Sequence, residues 1–216
     1  MMSEEHIHEV YSMPNNSKDG QKVVSVVEGV MGLFDGARKS EGSTAELSKL
    51  LQTPVVLIVD ARAVAYSVAP LLHGFKTFDP SVNIIGVIFN KVGSPSHYKF
   101  LREACDDVVG IECFGYVPRL KEAEIPSRHL GLSIANIQQY DSVIEVLAGA
   151  IEATVDLDTL LSSTTYISSD MPSSKVTTIP KEIHQRLKFA VAKDGSFNFV
   201  YSAAIQQLQK RGEVIF

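Results

Sequence analysis

Four short apolar runs, each closed by one polar or helix-breaking residue, constrain this chain more than any other feature. Val-Val-Ser-Val-Val at 23–27 ends in Glu28, and Val-Val-Leu-Ile-Val at 55–59 ends in Asp60. Asn-Ile-Ile-Gly-Val-Ile-Phe at 83–89 ends in Asn90, and the weaker Glu-Cys-Phe-Gly-Tyr-Val at 112–117 ends in Pro118. Runs that lack polar alternation read as strands covered on both faces. Helical periodicity fills the intervals: 43–51, with Leu47, Leu50 and Leu51 on one side and Ser43 or Thr44 as cap, then 61–75, 97–108 and a long amphipathic stretch at 134–155. Strand and helix alternating every roughly 30 residues is the pattern of βαβ units. The expected fold is α/β, a mostly parallel sheet with helices on both faces. In such a sheet Glu28, Asp60, Asn90 and Pro118 emerge along one edge, where ligands of these folds bind.

The first of these strand ends is the richest. Glu28-Gly-Val-Met-Gly-Leu-Phe-Asp35-Gly36 places two carboxylates and three glycines on one short loop. Two oxygen donors at a strand end suit a magnesium ion, which keeps several waters and substrate phosphates among its ligands. The plainer reading is a set of turns with solvated acids, and it explains the Met-Gly-Leu-Phe insert less well. Behind the loop, Ser43 and Thr44 open a helix whose first N–H groups and hydroxyls suit an anion. Asp60 reads as the N-cap of the helix after it, and Asn90 reads equally as a turn-former or a hydrogen-bonding group. Arg62, Lys91 and Arg102 read as surface cations, while His97 is a candidate cap.

A net charge of −5 over 216 residues excludes a broad basic face for nucleic acid, and no apolar run is long enough to span a bilayer. The N-terminus, Met-Met-Ser-Glu-Glu-His-Ile-His, lacks a basic-then-apolar signal pattern. Cys105 and Cys113 form no metal or redox motif, which fits a reducing compartment and a soluble, cytoplasmic protein. Between 162 and 178 the composition turns to Ser and Thr with almost nothing to bury, so 162–180 reads as a linker. Beyond it, strand at 188–192, helix at 198–211 and strand from 213 open a second unit too small to bury a core alone. The expected division is 1–161, 162–180 and 181–216.

Val26-Val-Glu-Gly-Val-Met-Gly-Leu-Phe-Asp-Gly36, Gly42-Ser-Thr-Ala-Glu-Leu47, Pro54-Val-Val-Leu-Ile-Val-Asp-Ala61, Gly86-Val-Ile-Phe-Asn90 and Arg128-His-Leu-Gly-Leu132 together resemble the cobyrinic acid a,c-diamide synthase family. The resemblance runs from about residue 23 to residue 216. It implies an ATP-binding domain of the P-loop NTPase type, similar to dethiobiotin synthetase, followed by the start of a class I glutaminase domain. The implied reaction is amidation of the a and c carboxylates of cobyrinic acid or its cobalt-free relative, with ATP, magnesium and glutamine-derived ammonia. A carboxylate resists ammonia until one oxygen becomes a leaving group, so ATP first converts it to an acyl phosphate. Such a transfer needs positioned phosphates and neutralised charge. On this resemblance Glu28 and Asp35 are the catalytic acids, with Glu28 on the metal. Asn90 binds the adenine, Pro118 and Arg119 flank the nucleotide, and Ser43, Thr44, Arg128 and His129 meet substrate or phosphate.

Three departures stand out. Residues 1–22 hold no Gly-x-x-x-x-Gly-Lys-Ser/Thr loop, whose N–H groups and lysine cradle phosphates in this family and whose segment brings a central strand. The glutaminase nucleophile and its histidine have no counterpart, and Ser127 stands where the family has Glu. The chain is therefore expected to be a piece of the synthase, inactive by itself, with corrinoid acid, ATP and glutamine as the parent's substrates and a homodimer left open. The rival readings are a non-catalytic binding remnant of that scaffold and a dethiobiotin-synthetase-like ligase acting on another acid.

Overall fold

The computed structural model of the chain describes residues 3–12, 24–108, 110–123, 140–164, 187–194, 197 and 200–216. In chain order its elements are α1 (Glu4–Ser12), α2 (Thr44–Leu51), β1 (Val55–Asp60), α3 (Val68–Phe78), β2 (Ile84–Val92), α4 (Pro95–Asp106) and β3 (Glu112–Pro118). A 3₁₀ turn at Lys121–Ala123 follows, then α5 (Asp141–Thr154), α6 (Leu157–Ser163), β4 (Leu187–Ala190), α7 (Ser202–Gln209) and β5 (Gly212–Ile215). These residues divide between two compact units, Val24–Glu124 with Ser142–Ser169, and Met1–Val23 with Ile125–Asp141 and Asp170–Phe216.

The first unit is built on a three-stranded parallel sheet in the order β1-β2-β3. The central strand β2 is the most deeply covered, with Ile84, Gly86, Val87, Phe89 and Val92 all buried, as a run without polar alternation requires. Leu72 of α3 and Leu101, Ala104 and Cys105 of α4 complete the core against Leu57, Val59 and Phe89. On β3 the chain takes a left-handed kink at Gly115, φ 137°, where a side chain would strike the Thr154 carbonyl. That kink lets residues 154–156 lie along the strand: Gly115 bridges Val155, Asp156 N–H donates to Phe114 O at 2.8 Å, and the Thr154 hydroxyl donates to Tyr116 O. The outer edge of β3 is thus covered. The outer edge of β1 carries no ladder among the described residues.

The parallel α/β architecture agrees with the sequence, and three local expectations do not survive. The strand expected at 23–27 is absent over its described residues. Residues 24–29 form no ladder, and Val24, Val26 and Val30 are 61%, 89% and 96% exposed. Apolar extended chain becomes a strand only where a neighbour takes its N–H and C=O groups. The helix expected at 61–75 begins only at Val68, because Ala63 sits at φ 56° and Pro70 is tolerated only in a first turn. Asp60 therefore caps no helix; Ser67 holds the N-cap position of α3. His97 does not cap α4 either, since Ser94 Oγ accepts from His97 N–H at 3.1 Å. Of the long helix at 134–155, α5 accounts for Asp141–Thr154, and 134–139 lie outside the described residues.

In the second unit β4 and β5 pair in parallel, Leu187 with Gly212 through Ala190 with Ile215, and α7 packs against β5. Lys188 faces Glu213 at 3.5 Å across that ladder. Strand, helix and strand thus appear where the sequence places them, although 198 and 199 are outside the described residues. Helix α6 runs to Ser163, just inside the expected linker, and 165–186 are not among the described residues. No helix among the described residues is long and apolar enough to cross a membrane.

Candidate active site

Parallel register fixes which residues share the carboxyl edge. Asp60 of β1 pairs with Asn90 of β2, Asn90 with Val117 of β3, and Val92 with Pro118. Backbone bonds carry the register into the loops, with Ala61 N–H donating to Asn90 O at 2.9 Å and Arg119 N–H to Val92 O at 3.1 Å. Asn90, Pro118 and Arg119 therefore stand together at one edge. The Asn90 side-chain oxygen accepts from Lys91 N–H at 2.8 Å, which orients its amide. Lys91 itself is held at φ 58°, a conformation non-glycine residues rarely adopt.

Beside Asn90 lies a group that the sequence left among the surface cations. Asp60 accepts from the Arg62 guanidinium at 2.9 Å and from Lys91 Nζ at 3.4 Å. The Arg62 side chain, then the Arg62 N–H and the Lys91 ammonium, hold the Asp60 carboxyl down at about 2. Equal strand ends were the available signal: two parallel neighbours closing at Asp60 and Asn90 necessarily bring Lys91 to Asp60. His97 joins the same edge. Its Nε2 contacts Val64 O at 2.5 Å and its Nδ1 accepts from Gly93 N–H at 3.3 Å, so one ring ties the loop after β1 to the loop after β2.

The acid-bearing loop is anchored by its apolar insert. Leu33 enters the core and its carbonyl accepts from Ala45 N–H at 2.9 Å, while Phe34 meets Phe78 edge-on at 4.8 Å and stacks on Phe75 at 6.0 Å. Helix α2 feeds β1 through residues 52–54, so its N-terminus lies at the end away from the start of β1. A methyl group on Gly29 would lie 2.7 Å from Thr44 Oγ1, which sets the backbone after Glu28 against the Thr44 hydroxyl. A methyl on Gly32 would collide with the Asp35 carboxylate, and the Asp35 backbone N–H donates to Gly32 O at 2.9 Å. At both positions the close neighbour is a side-chain end and not backbone. Ser43 is 2% exposed and its Oγ accepts from Glu46 N–H at 3.2 Å, while Glu46 accepts from Gly42 N–H. The Ser43 bond caps α2, and the Glu46 side chain ties the helix start back to Gly42. Thr44 is the hydroxyl left beside the loop.

Glu28 and Asp35 are both exposed. No three His, Cys, Asp or Glu side chains converge among the described residues as a protein-only metal cage. One or two carboxylates open to solvent are nonetheless the donor set that suits magnesium, which dehydrates reluctantly and takes its other ligands from water and phosphate. Arg128 and His129 lie outside the described residues.

Residues 9–132 match the CobQ/CobB/MinD/ParA nucleotide binding domain. The cobyrinate a,c-diamide synthase of Caldanaerobacter subterraneus subsp. tengcongensis is 39% identical over 214 residues, which is 98% of this chain and 46% of the relative. The hydrogenobyrinate a,c-diamide synthase of Mycobacterium tuberculosis is 36% identical over 88% of this chain and 43% of its own length. The cobyrinate a,c-diamide synthase of Salmonella typhimurium is 38% identical over 89% of this chain and 42% of its own length. The chain spans about half the length of the curated relatives it matches. No solved structure matches it.

Proposed function

Because the chain belongs to the CobQ/CobB/MinD/ParA nucleotide binding domain family, we propose that it supplies the nucleotide-facing part of an ATP-dependent ligase that amidates corrinoid carboxylates in cobalamin biosynthesis. The observation that carries this reading is the anchored loop from Glu28 to Gly36. Leu33 is buried and Phe34 half-buried while both carboxylates stay exposed, and the backbone after Glu28 lies against the Thr44 hydroxyl. The similarity to diamide synthases along 98% of the chain supports the choice of substrate class.

In this reading Asn90 presents its amide to the adenine, with Lys91 N–H holding the orientation. Pro118 and Arg119 close the nucleotide side of the edge, and Thr44 donates its hydroxyl to a phosphate oxygen. Glu28, with Asp35, would hold magnesium, whose charge offsets that of the phosphates. A corrinoid carboxylate oxygen attacks the γ-phosphorus; the acyl phosphate forms and ADP leaves. Ammonia then displaces phosphate at the carbonyl carbon, and glutamine hydrolysis in the parent enzyme supplies that ammonia. Arg128 and His129 are assigned to the substrate or its phosphate by the same reading.

The outer edge of β1, unpaired among the described residues, and the exposed valines at 24, 26 and 27 support the further view that this chain by itself is inactive. A strand along that edge, with the loop after it, would provide backbone N–H groups for phosphates. Calorimetric titration with Mg-ATP tests the assignment. Binding in the millimolar range, about −4 kcal/mol, is expected, strengthened by cobyrinic acid and deprived of its magnesium dependence by Glu28→Gln. No nucleotide binding with or without the corrinoid would overturn the reading.

A further inference from the structure

The two cysteines have no part in the proposed reaction, and both sit where α4 packs on β3, Cys105 within the core cluster and Cys113 packed against it. Cys105 lies in the last turn of α4, 1% exposed, and its Sγ donates to Ile111 O at 3.8 Å. The chain reverses at Gly110, φ 78°, and returns as β3. Strand alternation sets the Ile111 and Cys113 side chains on one face, and both pack into the cluster that contains Cys105. Cys113 stays partly exposed at the start of the strand. The amino end of β3 lies away from Pro118 and Arg119, so the pair is separate from the carboxyl edge.

The surroundings of the Cys113 sulfur are those of a stabilised anion. Tyr98 Oη lies 3.5 Å from Cys113 Sγ, its ring stacked on Tyr116 at 4.4 Å. The Cys105 thiol, the Gly115 N–H and the Arg102 charge also act on that sulfur. The hydrogen bond from Cys105, then those from Tyr98 and Gly115, lower the Cys113 thiol to about 7 against the effect of burial. The Cys105 thiol moves up, first through the neighbouring Cys113 sulfur and then through burial.

We propose that Cys113 and Cys105 form a thiol–disulfide exchange site whose substrate is a low-molecular-weight disulfide, with Cys113 attacking and Cys105 resolving. The Cys113 thiolate attacks one sulfur of R–S–S–R; the new S–S bond forms, the old one breaks, and RS⁻ leaves to take a proton from water. Cys113 is then uncharged, and the main influence that kept the Cys105 proton in place is gone. Cys105 Sγ attacks Cys113 Sγ, the second RS⁻ departs with the Cys105 proton, and an intramolecular disulfide closes residues 105–113. One external disulfide is reduced and two protein thiols are oxidised. The rate of the first step follows the thiolate fraction of the attacking sulfur.

The folded chain treated with excess hydroxyethyl disulfide near neutral pH, and followed by intact mass and free-thiol assay, tests this. Loss of both thiols is expected, with a mass lower by a pair of hydrogens and no retained adduct. Cys105→Ala should stop at a stable adduct on Cys113, and Cys113→Ala should not react until unfolded. Tyr98→Phe should slow the first step on the order of tenfold, the effect of one lost hydrogen bond to a charged group, and move its pH midpoint upward. Alkylation of the unmodified chain, mapped by peptide, gives an answer free of any substitution: Cys113 should be labelled well before Cys105. A persistent adduct on the unaltered chain, a bridge between two chains, or equal labelling of the two cysteines overturns the proposal.

Discussion

At the scale of single residues, Asp60 shows how an ordinary strand-closing acid becomes a structural node. Its carboxylate gathers Arg62 and Lys91 and thereby holds Lys91 in its left-handed turn beside Asn90. The carboxyl titrates at about 2 when folded and at 3.8 ordinarily. A folded value below the unfolded one means the contribution is complete above 3.8 and is lost as pH falls from there through 2. The side chain is 42% exposed, so water screens the pair and the contribution stays at or below about 1 kcal/mol. Asp60→Asn should therefore lower the urea midpoint slightly at neutral pH, and the difference from the unaltered chain should vanish in acid. Unfolding curves collected from neutral pH to pH ~2 check the sign. Sequence reading missed this node because it weighed Asp60, Arg62 and Lys91 one at a time. Only the in-register pairing of two strands makes them neighbours.

At the scale of elements, β1, β2, β3, α2 and α4 were legible because their apolar patterns and caps agree with their surroundings. Ser43 caps α2 where the sequence places it, while α4 is capped by Ser94 and not by the His97 that the sequence offered. The start of α3 was legible too, and was overlooked: Pro70 cannot sit inside a helix that begins at residue 61. The strand at 23–27 was not readable in the same way, since an apolar run says nothing about whether a neighbour is there to pair with it. The loop that follows depends on side chains instead of a ladder. Removing Phe34, with its contacts to Phe75 and Phe78, should cost roughly 2 kcal/mol, less than a fully buried ring because Phe34 is half-buried. Phe34→Ala should raise amide exchange in residues 28–36 while Ile84–Val92 keeps its protection. Equal loss of protection in both segments would show that the loop is part of the global core.

For the molecule as a whole, the two lateral edges of the sheet have opposite characters. One is sealed by residues 154–156 against β3, and the other, along β1, is open among the described residues, with Ile58 62% exposed. Natural edge strands are commonly blunted by lysine, proline or a bulge, and 55–60 has no lysine or proline of its own. Ile58→Lys should leave the urea midpoint within about 0.5 kcal/mol and lower light scattering in concentrated solution. Unchanged scattering would assign the sticking surface elsewhere. An unpaired rim is a template that any extended peptide can copy, and at high concentration the most abundant peptide is another copy of the same chain. Colloidal behaviour, more than melting temperature, will set the conditions under which this protein can be handled.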